Sequence, residues 1–456
     1  GFSEQDPEVI WHALIKCISE VSAKLNGKLV AVSLSSAMHS LICTDKNGTA
    51  ITGMMTWADA RSESIAIDLK NSALGEKLYR LTGTPIHSMS PLCKLIWLRE
   101  NQKDLFENTK KFLSIKSYIW HKLFRQYQID YSIASATGLF DIQKLCWSEE
   151  ACQLAGVTAD QLSALVNTNY MREDMDPIVA EQMGIPSNTP FIIGASDGCC
   201  ANLGSHVIGP GIAALTIGTS GAVRVTGLTP IYDYNAMLFN YLLDEKTFVS
   251  GGAVNNGGIA VDWLLQKFLN KPQITANDYE LLFKTIELVP AGSNGLLFLP
   301  YLYGERAPIW NAKSSGAFLN IRPGHGQEHF LRAGIEGICF ALNDVLTRLE
   351  ESSVKITQLN VSGGFITSTT WMQLMADITG KNLVVFQLED ASAIGAVRLA
   401  MRLLFPENKL PEKTYHNSTI ISPDKKNHEL YAKTFVIYKK TYSALKDSMN
   451  LLYDLN

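Results

Sequence analysis

Short apolar segments that end in glycine or small polar residues recur along this chain and alternate with stretches of helical periodicity. Residues 29–35 (LVAVSLS), 191–194 (FIIG), 212–216 (IAALT), 222–226 (AVRVT), 359–362 (LNVS) and 383–386 (LVVF) read as strands. Residues 37–40 read as a continuation of the first strand, followed by a turn at Asp45-Lys46-Asn47-Gly48. Helices read between the strands. Asp6-Pro7-Glu8 is a cap, a proline and an acid, and behind it Val9, Ile10, Ala13, Leu14, Cys17 and Ile18 keep close to a 3.6-residue period. Further helices read near 371–378 and over 391–404, where Ala393, Gly395, Ala396 and Ala400 permit close packing. Such alternation predicts an α/β architecture.

The chain has 456 residues, more than one compact core usually holds, so two or three domains are expected. Small residues and Pro210 interrupt the pattern between Gly204 and Gly211, which places the boundary there and divides the chain into 1–206 and 207–456. A small ligand then belongs in the cleft between the domains. Forty basic and 44 acidic side chains leave a net charge of −4, which supplies no electrostatic reason for a nucleic-acid or membrane partner. No apolar run approaches the roughly 18–20 residues that span a bilayer. The first eight residues have neither a basic segment nor an apolar signal core. Eight dispersed cysteines, none in a Cys-x-x-Cys pair, suit reduced thiols in the cytoplasm rather than a zinc site.

Several positions could carry chemistry. The turn Gly218-Thr219-Ser220-Gly221 offers flexible backbone donors and hydroxyls for phosphate, or is simply a glycine hairpin. It is not a Walker A loop, because no Gly-Lys-Ser/Thr follows. Asp197, in a loop read over 195–198 just past a strand end, could accept a proton, or could cap a turn. Asp59 and Arg61 offer a polar pair for hydroxyls or a carboxylate, with an ion pair bracing a loop as the alternative. His39 beside Met38 could bind sugar hydroxyls or serve as a hydrogen-bonded structural histidine. Glu305-Arg306 reads as a loop brace. Gly363-Gly364 after a strand could receive a nucleotide.

Longer stretches carry a family resemblance. Met89-Ser90-Pro91-Leu92-Cys93-Lys94-Leu95-Ile96-Trp97-Leu98-Arg99-Glu100-Asn101 resembles the first signature of the FGGY family of carbohydrate kinases. Gly316-Ala317-Phe318-Leu319-Asn320-Ile321, running on to Arg332-Ala333-Gly334-Ile335-Glu336-Gly337, resembles the second. The resemblance covers nearly the whole chain. It implies two actin-like (ribonuclease-H-like) ATPase domains with an interdomain cleft, the first binding sugar and the second nucleotide. Implied roles are catalytic base for Asp197, sugar contacts for Met38 and His39, phosphate turn for Gly218, Thr219 and Ser220, and adenosine segment for Gly363, Gly364, Phe365 and Ser368. The implied cofactors are ATP and Mg²⁺, with the metal ligands unassigned, and a homodimer is possible.

Within the family, Ser35-Ser36-Ala37-Met38-His39-Ser40, Gly194-Ala195-Ser196-Asp197-Gly198 and Gly304-Glu305-Arg306-Ala307-Pro308 are most similar to the branch that phosphorylates gluconate. The expected activity is therefore conversion of gluconate to 6-phosphogluconate, with Asp59 and Arg61 near the sugar acid and Arg61 as first choice for its carboxylate. The alternatives are a kinase of xylulose, another pentulose or a polyol, and a non-catalytic actin-like nucleotide-binding regulator. Family members open with a strand and an Asp-x-Gly-Thr loop, whereas this sequence opens at a helix. The first domain is thus expected to lack its opening strands here, and a strand-rich segment to precede Gly1 in the native polypeptide.

Overall fold

A pair of parallel strands organises the first half of the computed structural model, which describes residues 1–25, 29–352, 355–386, 390–407 and 419–455. Strand β1 (Val32–Ser36), the short β2 (Met171–Arg172) and β3 (Phe191–Ser196) form one sheet, with β3 in the middle. Strand β3 is buried throughout, which fits an apolar run with no polar face. Its register against β1 shifts between Ile192 and Ala195. Gly194 makes the shift possible: its φ is 68°, and a Cβ there would lie 1.9 Å from the Leu34 carbonyl oxygen.

Helix α1 (Pro7–Lys24) starts as the sequence predicts, with the Asp6 carboxylate accepting the Glu8 N–H. Helix α2 (Pro91–Asn101) is capped by Ser90 and buries Leu92, Cys93, Lys94, Leu95, Ile96 and Leu98. Helix α3 (Ile115–Phe124) joins Trp120, Leu123 and Phe124 to a core with Trp11, Leu34, Phe191 and Ile193. Helix α4 (Asp197–Gly204) leaves directly from β3.

The second half is built on a seven-stranded mixed sheet. Its strands are β4 (Ile212–Ile217), β5 (Gly221–Gly227), β6 (Phe239–Leu242), β7 (Phe248–Val254), β8 (Gln358–Ser362), β9 (Asn382–Val385) and β10 (Thr419–Ile421). The spatial order is β6-β7-β5-β4-β8-β9-β10. Strands β4, β8 and β9 run parallel, and the remaining pairs are antiparallel. Around the sheet lie α5 (Gly258–Phe268), α6 (Gln327–Ser352), α7 (Thr369–Thr379), α8 (Ala391–Leu404) and α9 (Lys425–Asp454). Helix α6 is buried along most of its length, and Ile335, Leu342 and Val345 pack with Leu215, Val223 and Val254 of the sheet.

One helix ties the halves together. Helix α8 comes from the second half but packs on α4, β1 and β3 of the first. Glycines allow the approach: a Cβ on Gly204 would lie 1.8 Å from the Ala391 carbonyl oxygen, and one on Gly395 1.9 Å from that of Cys200. Gly395, Ala396 and Ala400 are buried here as their small size suggests, while Ala393 is exposed.

Two local expectations change. Residues 37–40 do not extend β1; the chain bends, and the next strand begins at Ile42. Asp197 is not in a loop, because β3 runs on to Ser196 and α4 begins at the next residue. No helix among the described residues is long and apolar enough to cross a membrane.

Candidate active site

Parallel pairing explains why residues far apart in sequence meet. Ser36 and Ser196 are register partners at the ends of β1 and β3. The residues that follow each strand, Met38 with His39 and Asp197 with Gly198, therefore emerge at the same sheet edge, where ligands of α/β sheets usually bind. All four line a cavity of about 580 Å³ together with Arg224, Tyr241 and Arg306.

Asp197 is held by its surroundings. Ser196 caps α4, its Oγ accepting the Cys199 N–H at 3.4 Å. Ser132 locks that cap, donating from Oγ to Ser196 Oγ (2.9 Å) and accepting the Ser196 N–H (3.0 Å). Buried Lys116 binds the Ala195 carbonyl at 2.9 Å and the Asp130 carboxylate at 2.8 Å, pinning the end of β3. The Asp197 carboxylate accepts the Gly198 N–H at 2.7 Å. Burial raises its pKa above the ordinary value, while the Gly198 N–H, Arg224 and Lys116 pull it back. A carboxylate that opens onto a cleft and is made more basic by its partly desolvated setting suits proton acceptance.

His39 sits in the left-handed region at φ 65°, a conformation that costs a non-glycine residue about 1–2 kcal/mol. Lys94 helps to hold it there: its buried ammonium donates to the carbonyls of His39 (2.6 Å) and Thr56 (2.7 Å). Burial, reinforced by Lys94, pushes the imidazole pKa down to about 3, so the ring is neutral. A carbonyl only accepts, so Nδ1 carries the proton given to the Ala136 oxygen at 2.8 Å. Nε2 is then the acceptor for the Tyr241 hydroxyl at 3.3 Å. Tyr241 in turn stacks on Phe239 with ring centroids 4.7 Å apart.

The opposite wall is made of backbone. Thr216 and Ser362 are register partners in β4 and β8, and their hydroxyls lie 3.0 Å apart. The turns at Gly218-Thr219-Ser220 and Gly363-Gly364 consequently open side by side. The Gly218 and Thr219 carbonyls are tied to the N–H groups at the start of α5, Gly258 at 2.7 Å and Ile259 at 3.1 Å. The N–H groups of Thr219 and Ser220 have no partner among the described residues, an arrangement that offers donors to phosphate oxygens. Gly363 has φ 97°, and a Cβ there would lie 2.2 Å from the Ile217 carbonyl oxygen.

A second cavity of about 830 Å³ is lined by Gly218, Thr219, Gly364, Phe365, Ser368 and Tyr279, and the cleft cavity shares Gly218 with it. Gly363 lines the cleft cavity itself. The Phe365 ring is buried edge-on to Trp371, and the Ser368 hydroxyl caps α7 by accepting the Trp371 N–H at 3.2 Å. Both residues therefore hold the wall of this cavity as well as bordering it.

Asp59 and Arg61 are placed otherwise than the sequence suggests. The Arg61 guanidinium binds Asp59 through Nε (2.8 Å) and Nη2 (2.7 Å), also pairs with Glu4, and lies 4.1 Å from the Phe2 ring centroid. Its side chain is 3% exposed, and neither residue lines the cleft. With Nε and Nη2 engaged by two carboxylates, Arg61 braces residues 2–4 away from the cleft. Glu305 does brace its loop, accepting the Arg306 N–H (2.9 Å) and the Asn256 side-chain amide (3.0 Å). Arg306 itself reaches the cleft.

Arg224 and Tyr241 were not singled out from the sequence. For Arg224 a signal existed: it is a lone cation in the apolar strand AVRVT, where a charge needs a reason. No group of three or more histidine, cysteine, aspartate or glutamate side chains that could hold a metal occurs among the described residues. The carboxylates that line the cleft are Asp197 and Asp390, and an ion that enters with phosphates needs only one or two.

Comparison with known proteins agrees with this geometry. The chain is 42% identical over 406 residues to a gluconokinase of Bacillus subtilis, covering 88% of this chain and 79% of that one. It superposes on crystal structures of a ligand-bound xylulose kinase and of a gluconate kinase, both from Lactobacillus acidophilus. Each superposition has a TM-score of 0.94 and 33% identity over 99% of this chain and 91% of the other. Residues 1–204 match the N-terminal domain, and residues 213–404 the C-terminal domain, of the FGGY family of carbohydrate kinases. A cleft with a carboxylate on one wall and a glycine turn with open backbone donors on the other is compatible with such a kinase, and the chain belongs to the FGGY family, ATP-dependent carbohydrate kinases with two actin-like domains.

Proposed function

We propose that this chain transfers the terminal phosphoryl group of ATP to the 6-hydroxyl of gluconate. The observation that carries the reaction is the shared cavity, in which Asp197 faces the turn at Gly218 across a space of about 580 Å³. The relative named gluconokinase, at 42% identity, supports the substrate. The two superposed structures, named for xylulose and gluconate, match equally well and do not separate the two sugars.

In this reading the Asp197 carboxylate accepts the proton of the sugar hydroxyl as that oxygen attacks the γ-phosphorus, and ADP departs with the β–γ bridging oxygen. The N–H groups of Thr219 and Ser220 and the Thr219 hydroxyl hold the phosphates. Neutral His39, fixed as the Nδ1–H tautomer, orients Tyr241, and Met38 walls the sugar. Gly363, Gly364, Phe365 and Ser368 border the adenosine. Mg²⁺ would enter with the nucleotide phosphates and would supply charge neutralisation there, leaving the Asp197 carboxylate as the base. Residues 1–206 act as the sugar domain and 207–456 as the nucleotide domain, a division supported by the matched segments 1–204 and 213–404. The near-balance of charge supplies no reason for a nucleic-acid or membrane partner beside the small-molecule substrate, and the dispersed cysteines support a cytoplasmic location.

The test is ATP turnover on gluconate, xylulose, ribulose and glycerol. Gluconate should give the highest kcat/KM. A preference for xylulose would retire the substrate and keep the kinase; no turnover of any sugar with nucleotide still bound would favour a regulator.

A further inference from the structure

Two arginines reach the cleft without an ion-pair partner among the described residues. Arg224 lies in the middle of β5, and a Cβ on Gly198 would sit 3.7 Å from its Nε and 4.0 Å from its Nη2. No carboxylate stands within ion-pair distance of its guanidinium, and no side-chain hydrogen bond reaches it, among the described residues. Arg306 enters the same cavity with its Nε on the Asn255 side chain (2.7 Å), one terminal nitrogen on the Val254 carbonyl (3.3 Å), and its guanidinium 5.8 Å from the Trp57 ring centroid. It has no carboxylate partner there either.

The acids lining this cavity are Asp197 and Asp390. One oxygen of Asp390 already accepts the N–H groups of Ser392 and Ala393 at the start of α8. Among the described residues neither guanidinium forms an ion pair with either acid, and His39 beside them is neutral. A cation removed from water without a partner is costly, so a site built this way is completed by an anion from its ligand. Two anions enter the cleft: the nucleotide phosphates and, if the substrate is a sugar acid, its carboxylate. Position favours the second. Gly198 lies between Arg224 and Met38, whose Cε would be 3.2 Å from the same added Cβ, so Arg224 shares the wall of the sugar-side residues.

We propose that Arg224, with Arg306 as second cation, reads the carboxylate of an open-chain sugar acid and so sets the selectivity of this kinase against neutral polyols and ketoses. The proposal rests on the gluconate reading above and replaces Arg61 in that role. A guanidinium offers a carboxylate two parallel N–H donors, and a hydroxymethyl group in the same place leaves them unpaired.

The experiment measures kcat/KM for gluconate and for glucitol, the same six-carbon chain with a hydroxymethyl group in place of the carboxylate, in the parent and in Arg224→Gln. The gluconate-to-glucitol ratio should fall by about 10²-fold in the variant, through KM for gluconate, with KM for ATP changed less than about threefold. Arg224→Lys, which keeps the charge in the strand, should recover part of the ratio and serves if the glutamine variant does not fold. Gluconate-induced thermal shift in the Arg224→Lys protein, compared with the parent, reads binding without turnover and should be smaller. An equal loss on both sugars would make Arg224 a general support of Asp197, and a rise in KM for ATP alone would make it a phosphate ligand. Either result overturns the proposal while leaving the gluconate reading intact. A parent that prefers xylulose or glucitol to gluconate would overturn that reading itself, and the carboxylate role with it.

Discussion

The two walls of the cleft are built on different principles. The sugar-side wall depends on buried charged and polar side chains: Lys94 on the His39 carbonyl, Lys116 between Asp130 and the Ala195 carbonyl, Ser132 on the cap of α4. The nucleotide-side wall depends on backbone turns that glycines let close on one another. A Cβ on Gly257 would lie 2.7 Å from the Ser220 carbonyl carbon, and one on Gly258 2.7 Å from the Gly218 oxygen. Phosphates are the same in every reaction of this type and need only N–H groups pointed one way. A sugar is told from its isomers by where its hydroxyls lie, and that needs individual side chains held in fixed positions.

The comparison can be broken at its chemical centre. Asp197→Asn should lower kcat by about 10²–10⁴-fold and leave ATP binding unchanged, as seen by steady-state kinetics and nucleotide titration. Turnover within twofold or so of the parent would assign Asp197 to structure alone. The parent should also lose kcat/KM as pH falls, because the base must be unprotonated. Since burial raises the Asp197 pKa, that acid limb should lie above the ordinary aspartate value of about 4. A profile flat down to pH 4 would remove the carboxylate from the reaction.

Gly363→Ala probes the nucleotide wall next. Its φ of 97° and the 2.2 Å approach of a Cβ to the Ile217 oxygen should cost about 1–3 kcal/mol of stability, read by denaturant unfolding. KM for ATP should rise more than KM for the sugar. Lys94→Met tests the other wall. It leaves two buried carbonyls without donors at about 1–3 kcal/mol each, and it frees His39, so KM for the sugar should rise more than KM for ATP. If both substitutions shifted both KM values alike, the walls would not be independent. The smallest effect is expected for Thr219→Val. Thr219 is exposed and its hydroxyl has no partner among the described residues, so its loss should raise KM for ATP by about 3–10-fold without touching the sugar. A change confined to the sugar would place the turn on the wrong wall.

Much of this was legible in sequence where the signal is local. Helix α8 has the ends its pattern implies, because Asp390 caps it and the small residues of one face recur at helical spacing. The turn at 217–221 lies between two antiparallel strands as its glycines suggest. The long FGGY signatures placed the chain in its family because they span many residues at once. Asp197 was recognisable as a residue past a strand end, although Ser-Asp-Gly read as a loop conceals the start of an eight-residue helix.

Tertiary structure decided which arginine meets the cleft. In sequence Arg61 stands beside Asp59 and Trp57 and looks poised for a ligand, while Arg224 is one odd letter in a strand. In the fold Arg61 pairs with Asp59 and Glu4, and Arg224 faces a cavity without an ion-pair partner among the described residues. The physical reason is range. Caps, turns and periodicity act between residues a few positions apart, so one chain segment contains them whole. Whether a guanidinium is paired depends on strands brought into register from distant parts of the sequence, as Ser36 is with Ser196, and no single segment contains that information.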